Sequence, residues 1–289
     1  MKILLTGANG QLGWELQRTV PPGFAVVACG SAELDISDRQ AVARVVAAHA
    51  PQVIINAAAF TAVDRAETEA LRAEQVNALG PINLAQAAVD RGIRLIHIST
   101  DFIFDGRQAH PYQPTDLPNP LGVYGQSKLR GEEGIMALTG GQETTIIRTA
   151  WVYSSHGHNF VKTMLRLMAE REVLSVIDDQ IGTPTWAHGL AQAVWSVVST
   201  KVTGVYHYTD AGVASWYDFA VAIGEEAAAL GLLTKQPLVL PIPASAYPLP
   251  AQRPPYGVLD KTALWQALAW QPRHWRVALR SMLAELLSP

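Results

Sequence analysis

Tyr124 and Lys128 stand four residues apart in the run Tyr124-Gly125-Gln126-Ser127-Lys128. On a helix, positions i and i+4 share a face, so a phenol and an ammonium at this spacing can point into one cleft. Such a pair suits reduction of a ketone, in which a proton must reach the carbonyl oxygen as hydride reaches the carbon. A free tyrosine, with a pKa of about 10, is a slow donor near neutrality. A neighbouring lysine cation favours the phenolate and is expected to lower that pKa. Upstream, Ser99-Thr100-Asp101 follows an apolar run, and Thr100 there can hydrogen-bond a carbonyl oxygen and stabilise the charge that develops on it. A Tyr-x-x-x-Lys spacing alone is common; its weight comes from what precedes it.

What precedes it is Thr6-Gly7-Ala8-Asn9-Gly10-Gln11-Leu12-Gly13, a GxxGxxG spacing between an apolar run and a segment of helical pattern. A turn without side chains lets backbone approach a pyrophosphate, and a helix N-terminus offers it free N–H groups and positive partial charge. The third glycine permits close helix–strand packing. Asp35, in Leu34-Asp35-Ile36-Ser37-Asp38, can lie near the adenosine or cap a helix. The turn itself has no arginine to mark a 2′-phosphate. Asn56-Ala57-Ala58-Ala59 closes a third apolar run, and its small residues leave room for a ligand above a strand end.

These motifs need strands to hold them. Short apolar runs near 2–6, 24–29, 53–55, 93–98 and 144–147 alternate with stretches of helical pattern. Five such alternations predict an α/β fold, a doubly wound parallel sheet covered by helices on both faces. After about residue 150 the chain is richer in Trp, Pro and loops, with helices expected near 160–170, 187–199 and 216–230. The proline-rich stretch 237–255 is expected to hold no regular structure for long. The division expected is a dinucleotide-binding domain over 1–150 and a smaller C-terminal α/β substrate lobe over 151–289, with elements free to return to the main sheet.

Composition narrows the function classes. With 289 residues, 49% hydrophobic and 16% charged, the chain reads as an ordinary globular protein. A formal net charge of −3 gives no reason to expect nucleic acid or an anionic membrane as a partner. The single cysteine, Cys29, allows no intrachain disulfide and no thiolate cluster. No apolar run approaches the ~20 residues of a membrane span, and the N-terminal run meets Gly7 before a signal-peptide core could form. A cytoplasmic location is expected. Among the histidines, His97 reads as a core residue of the fourth strand. His156 and His158, bracketing Gly157, read as loop residues, and no metal site is expected of them.

Together these residues resemble the extended short-chain dehydrogenase/reductase family, and within it the dTDP-4-dehydrorhamnose reductases. The resemblance rests on residues 7–17, 56–64, 99–106, 124–132 and 148–153, then on Asn159-Phe160-Val161, 179–185, Gly204-Val205-Tyr206-His207, Ser215-Trp216-Tyr217-Asp218-Phe219 and Arg253-Pro254, in order along nearly the whole chain. It implies a Rossmann-type sheet and reduction of a dTDP-linked 4-keto-6-deoxy sugar by NADPH or NADH. Tyr124 would be the proton donor, Lys128 its partner on the ribose, and Thr100 the group on the carbonyl. Gly7, Gly10, Gln11, Leu12 and Gly13 would line the pyrophosphate, Asp35 and Ile36 the adenosine, and Ala59, Phe60 and Thr61 the nicotinamide side. Asp101 and Trp151 would touch the sugar and Arg253 the diphosphate, where a structural ion pair is the competing role.

Departures from the pattern are Phe102, where tyrosine is frequent, and Gly257, where serine is usual. Some members dimerise through glutamates that share Mg2+. Glu15 matches one of them, but Trp186-Ala187-His188 offers no second carboxylate, so a monomer or a homodimer without that metal is expected. Nucleotide-sugar epimerases and dehydratases share the cradle and the Tyr/Lys pair. A non-catalytic regulatory subunit like the methionine adenosyltransferase β subunit shares much of the rest, though Thr100, Tyr124 and Lys128 together weigh against it.

Overall fold

A computed structural model describes residues 1–271 and 273–287. Five strands, β1 (Lys2–Thr6), β2 (Ala25–Cys29), β3 (Val53–Asn56), β4 (Arg94–Thr100) and β5 (Thr144–Thr149), lie in one sheet with a sixth, β6 (Gly204–His207). The order across the sheet is β6-β5-β4-β3-β1-β2, and every pairing is parallel. Strand order reverses between β1 and β3, so the crevice above their carboxyl ends is where a doubly wound sheet receives a ligand.

The strands read as continuous apolar runs because both faces are covered. Ile3 and Leu5 pack with Leu190, Val194 and Val197 of the helix Ala187–Thr200, while Leu4 and Ile54 pack with Val42, Leu84 and Ile135 on the opposite face. Helix α1 (Gln11–Arg18) joins the first face, and α2 (Arg39–His49), α3 (Gly80–Val89) and α4 (Val123–Thr139) form the second. The chain after residue 150 therefore contributes both a strand and a covering helix to the main sheet.

A separate core lies beyond the sheet's carboxyl edge. Met164 and Met168 of the helix Phe160–Glu170, Phe219 and Ile223 of Trp216–Ala229, and Trp275 and Leu279 of Trp275–Glu285 bury one another with Tyr153 and Trp186. The proline-rich stretch departs from expectation: Leu238–Ile242 is a strand, paired in parallel with Val173–Ile177, and Pro241 sits within it. Among the described residues it pairs with that one strand, so the missing N–H of Pro241 can face away from the ladder.

The alanine-rich segment after Glu67 also differs from one continuous helix. It runs Ala70–Glu74, then a π-helical turn Gln75–Leu79, then α3. The wider turn places Asn77, fully buried, against the site described next.

Candidate active site

The glycine motif forms a cradle at the β1/β3 switch. Gly7 has φ +72°, and a Cβ there would lie 2.5 Å from the Ala58 nitrogen, so only glycine lets the β1 turn rest on the loop after β3. A Cβ at Gly13 would meet the Gly7 carbonyl at 2.1 Å, which fixes α1 close under the turn. Helix α1 starts at Gly10 without a side-chain cap and has no acidic residue in its first turn, leaving its N–H groups toward the crevice.

Above the turn opens a cavity of about 280 Å³, lined by Gly7, Gly10, Asp35, Ile36, Ala59 and Phe60 among others. Asp35 does not cap α2; Asp38 does, accepting from the Gln40 and Ala41 nitrogens. Asp35 accepts from Ser37 and faces Arg72 at 3.7 Å across the cavity wall. Hydrogen bonding by Ser37, aided by Arg72, holds its carboxyl below the usual range. Of the other cradle candidates, Leu12 and Gly13 are buried beneath the turn, Gln11 accepts from Asn159, and Thr61 is exposed at the rim.

The second group sits at the end of β4. Tyr124, 8% exposed, shares an apolar cluster with Phe60, Val63 and Phe102, and the Phe102 ring meets its edge at 5.4 Å. Helix α4 comes this close because Gly125 has no side chain: a Cβ there would lie 2.2 Å from the Phe102 carbonyl. Glu67 anchors the start of α4 by accepting from the Val123 nitrogen at 2.9 Å. Thr100 donates to Asp101 at 3.1 Å and accepts from the Phe102 nitrogen at 3.2 Å. Thr149, paired with Thr100 in register, carries a buried hydroxyl with no partner among the described residues.

Electrostatics here differ from the sequence expectation. The phenol does not end below its ordinary value. Burial pushes Tyr124 up to about 12, with a hydrogen bond to Thr100 pulling the other way and the Asp101 charge adding to the rise. Lys128, buried to 1%, donates to the Ile98 carbonyl at 2.7 Å, and its Nζ lies 3.4 Å from His97 Nε2. Burial brings Lys128 down to about 8, against the opposing pull of Glu132. Desolvation outweighs the pair's attraction because both groups are enclosed. Asp101 is pushed up to about 7 by its burial, against the Thr100 hydrogen bond and backbone N–H groups.

Asn77, which carried no signal in the sequence, ties the two groups together. Its side chain accepts from the Phe60 nitrogen at 2.8 Å and donates to the Phe60 carbonyl at 3.0 Å and to Ser127 Oγ at 3.1 Å. The cradle wall and the Tyr124 helix are thus held by one amide. Arg72 and Val76 are further cavity residues that an alanine-rich helical pattern did not single out.

A larger cavity of about 540 Å³ lies in the second core, lined by Phe160, Met164, Val176, Trp216, Ile242 and Arg253 among others. Trp151 stacks on Trp216 with ring centroids 3.5 Å apart and planes 9° from parallel. Its φ of +48° is left-handed, a strained conformation for a tryptophan. Gly182 abuts the same indole; a Cβ there would lie 2.6 Å from the ring. Arg253 lines the cavity while donating to both oxygens of Asp64, at 3.1 and 2.8 Å, so the ion pair and the cavity position coexist. Gly257 makes room for Asp101: a Cβ would come within 2.6 Å of its Oδ2.

The residues do not fit a Mg2+ shared through Glu15. Its carboxylate is fully buried and occupied by Arg18 Nε at 2.5 Å, Ser154 Oγ at 2.8 Å and His188 Nδ1 at 3.3 Å. Arg18 also reaches Glu285 at 2.7 Å, supplying the cation that two facing carboxylates need. Among the described residues no three potential ligands converge on a metal position, and none of the helices is long and apolar enough to cross a membrane. His156 stacks on Trp14 at 5.1 Å.

A doubly wound sheet, a glycine cradle at its switch point and a Tyr/Lys helix beside a Thr-ended strand define the extended short-chain dehydrogenase/reductase class. Within that class, residues 1–288 match the family model described as the RmlD substrate binding domain, and the chain belongs to this family. A dTDP-4-dehydrorhamnose reductase of Aggregatibacter actinomycetemcomitans is 41% identical over 98% of both chains. The crystal structure of a dTDP-4-dehydrorhamnose reductase from Clostridium acetobutylicum superposes with a TM-score of 0.93 at 40% identity, covering 99% of this chain and 100% of the other. The Bacillus anthracis dTDP-4-dehydrorhamnose reductase, solved in complex with NADP, gives 0.92 at 35% identity over 98% of this chain and 99% of that one.

Proposed function

We propose that this protein reduces the 4-keto group of dTDP-4-dehydrorhamnose to give dTDP-L-rhamnose, with NADPH as the reductant and NADH as an alternative. The observation that carries the reading is the buried Tyr124 phenol, one helical turn from Lys128 and packed against Phe60 of the cradle wall. The full-length relatives supply the substrate class.

Bound in the cradle, the nicotinamide cofactor supplies the hydride. Gly7, Gly10 and the first turn of α1 receive its pyrophosphate through backbone N–H groups. Asp35, Ile36 and Arg72 take the adenosine end, and Ala59, Phe60 and Thr61 the nicotinamide side. Tyr124 holds a proton at its phenol oxygen and releases it to the substrate oxygen as that oxygen gains charge. Thr100 donates a hydrogen bond to the same oxygen once its single hydroxyl proton turns from Asp101 toward the substrate. Lys128 compensates the phenolate that Tyr124 leaves. The second lobe takes the nucleotide sugar: Trp151 offers a flat apolar face to the C–H edges of a deoxy sugar, and Arg253 faces the diphosphate. The test is consumption of NADPH by the purified protein with dTDP-4-dehydrorhamnose, with dTDP-L-rhamnose as product. No turnover with either NADPH or NADH would sink the assignment. Turnover of a dTDP-hexose that carries a 4-hydroxyl, with dinucleotide retained and none consumed, would indicate an epimerase or dehydratase instead.

A further inference from the structure

His97 was expected to be a core residue of β4, and its surroundings assign it a second role. Asn56 Oδ1 accepts from Thr6 Oγ1 at 2.7 Å and from the Ala58 nitrogen at 3.1 Å. A backbone N–H can only donate, so the amide orientation of Asn56 is fixed and its Nδ2 is the atom 3.0 Å from His97 Nδ1. Nδ1 must accept that bond and carries no proton. The remaining ring proton of a neutral imidazole is then on Nε2, which faces Lys128 Nζ at 3.4 Å.

We infer that His97 is held as the Nε2–H tautomer and acts as a positioning residue for Lys128, presenting a donor to the amine and so disfavouring its charged form from beneath. An ammonium has no lone pair to accept from Nε2–H, whereas the free amine does, and the amine still donates to the Ile98 carbonyl. The chain Thr6–Asn56–His97–Lys128 thereby connects the base of the glycine turn to the catalytic helix. The role of Lys128 in reduction rests on the function proposed above; the tautomer does not.

The titratable groups on the elements packed around Lys128 are Tyr124 and Glu132 on α4, His97 on β4 with Asp101 just beyond it, and Arg148 on β5. Arg148 is bound to Glu132 at 2.7 Å, so that carboxylate's pull is shared between the arginine and the lysine. Burial and the Lys128 charge both hold His97 well below the ordinary histidine range, so its ring is neutral throughout the working pH range.

Two measurements test this without substrate. A long-range 1H–15N spectrum of the histidine rings, with His97→Gln used to assign the signal, should show a bare Nδ1 and a protonated Nε2; a protonated Nδ1 overturns the inference. The Cε resonance of Lys128, followed against pH, should titrate about one pH unit higher in His97→Gln than in the unsubstituted protein, because the glutamine carbonyl can accept from the ammonium. An unmoved midpoint in a folded His97→Gln protein overturns the positioning role. If that variant does not fold, Lys128→Met assigns the lysine signal and the histidine spectrum of the unsubstituted protein decides, a signal there for His97 with Nδ1 bare supporting the assignment. In turnover, the limb of the kcat/KM profile set by Lys128 should move upward by the same amount in His97→Gln. A loss of stability alone would leave that limb in place.

Discussion

The glycine cradle and the cavity of the second core are built by different means. The cradle is made of backbone: Gly7 and Gly13 touch Ala58 and the β1 turn at distances that exclude a Cβ, and small alanines form its far wall. The second cavity is made of side chains from separated segments, with Trp216, Met164, Ile242 and Arg253 contributed by different elements. A backbone-built site has little freedom to vary, since the geometry of a turn admits few sequences. A side-chain-built site can change one wall at a time, which suits the part of a reductase that chooses among substrates.

The largest effect is expected at the proposed proton donor. Tyr124→Phe should lower kcat by roughly 10²–10⁴-fold while leaving binding of both NADPH and the nucleotide sugar in place. A fall of less than about tenfold would remove Tyr124 as the proton donor. Gly7→Val should act on the cradle alone in chemical terms but also cost stability, roughly 2–4 kcal/mol from the left-handed φ and the Ala58 clash. Calorimetry should show lost NADPH binding and a lowered Tm; unchanged binding would mean the cofactor does not use this turn.

Gly182→Ala addresses Trp151, which stacks on the Trp216 wall of the other cavity. Its methyl displaces the Trp151 indole, and KM for the nucleotide sugar should rise about tenfold, with NADPH affinity unchanged. Equal losses in both affinities would show that the cavities are not separable. The smallest effect is one of pH. Asp101, raised by burial to about 7, holds its proton more tightly when folded than the unfolded chain does. Its contribution to stability is therefore full below about pH 4 and is lost as pH rises through about 7. Asp101→Asn cannot ionise, so its Tm relative to the unsubstituted protein should improve between pH 4.5 and pH 8, by an amount equivalent to roughly 1–3 kcal/mol. His207, brought down to about 3 by burial with help from Arg148, changes stability in the opposite sense over part of that range. It does so equally in both proteins and cancels in the difference. A constant difference would mean that Asp101 is ionised in the fold.

Much of this was legible in the residues themselves. The first five strands and the helices Phe160–Glu170, Ala187–Thr200 and Trp216–Ala229 fall where the apolar patterns put them, within a few residues. The glycine turn, Thr100 and the Tyr124/Lys128 spacing were visible as local motifs. Less visible was Asn77, because an asparagine in a helical stretch is unremarkable until a π-turn aims it at Phe60 and Ser127. Arg72 likewise has no local mark; it matters only because its helix crosses in front of Asp35. The strand Leu238–Ile242 was hidden by Pro241 within it, whose cost depends on which edge is paired.

The spacing of Tyr124 and Lys128 was determined by the sequence, since four residues make about one turn of an α-helix, and so was the need for glycine at positions 7 and 13. The electrostatic state of the pair was decided by the tertiary structure. Burial raises the phenol and lowers the amine, and the carbonyl of Ile98 and the ring of His97 engage Lys128 from strand β4. Spacing along a helix is a property of covalent geometry, whereas the charge of a group depends on the solvent it loses and the partners that replace it, and both come from distant parts of the chain.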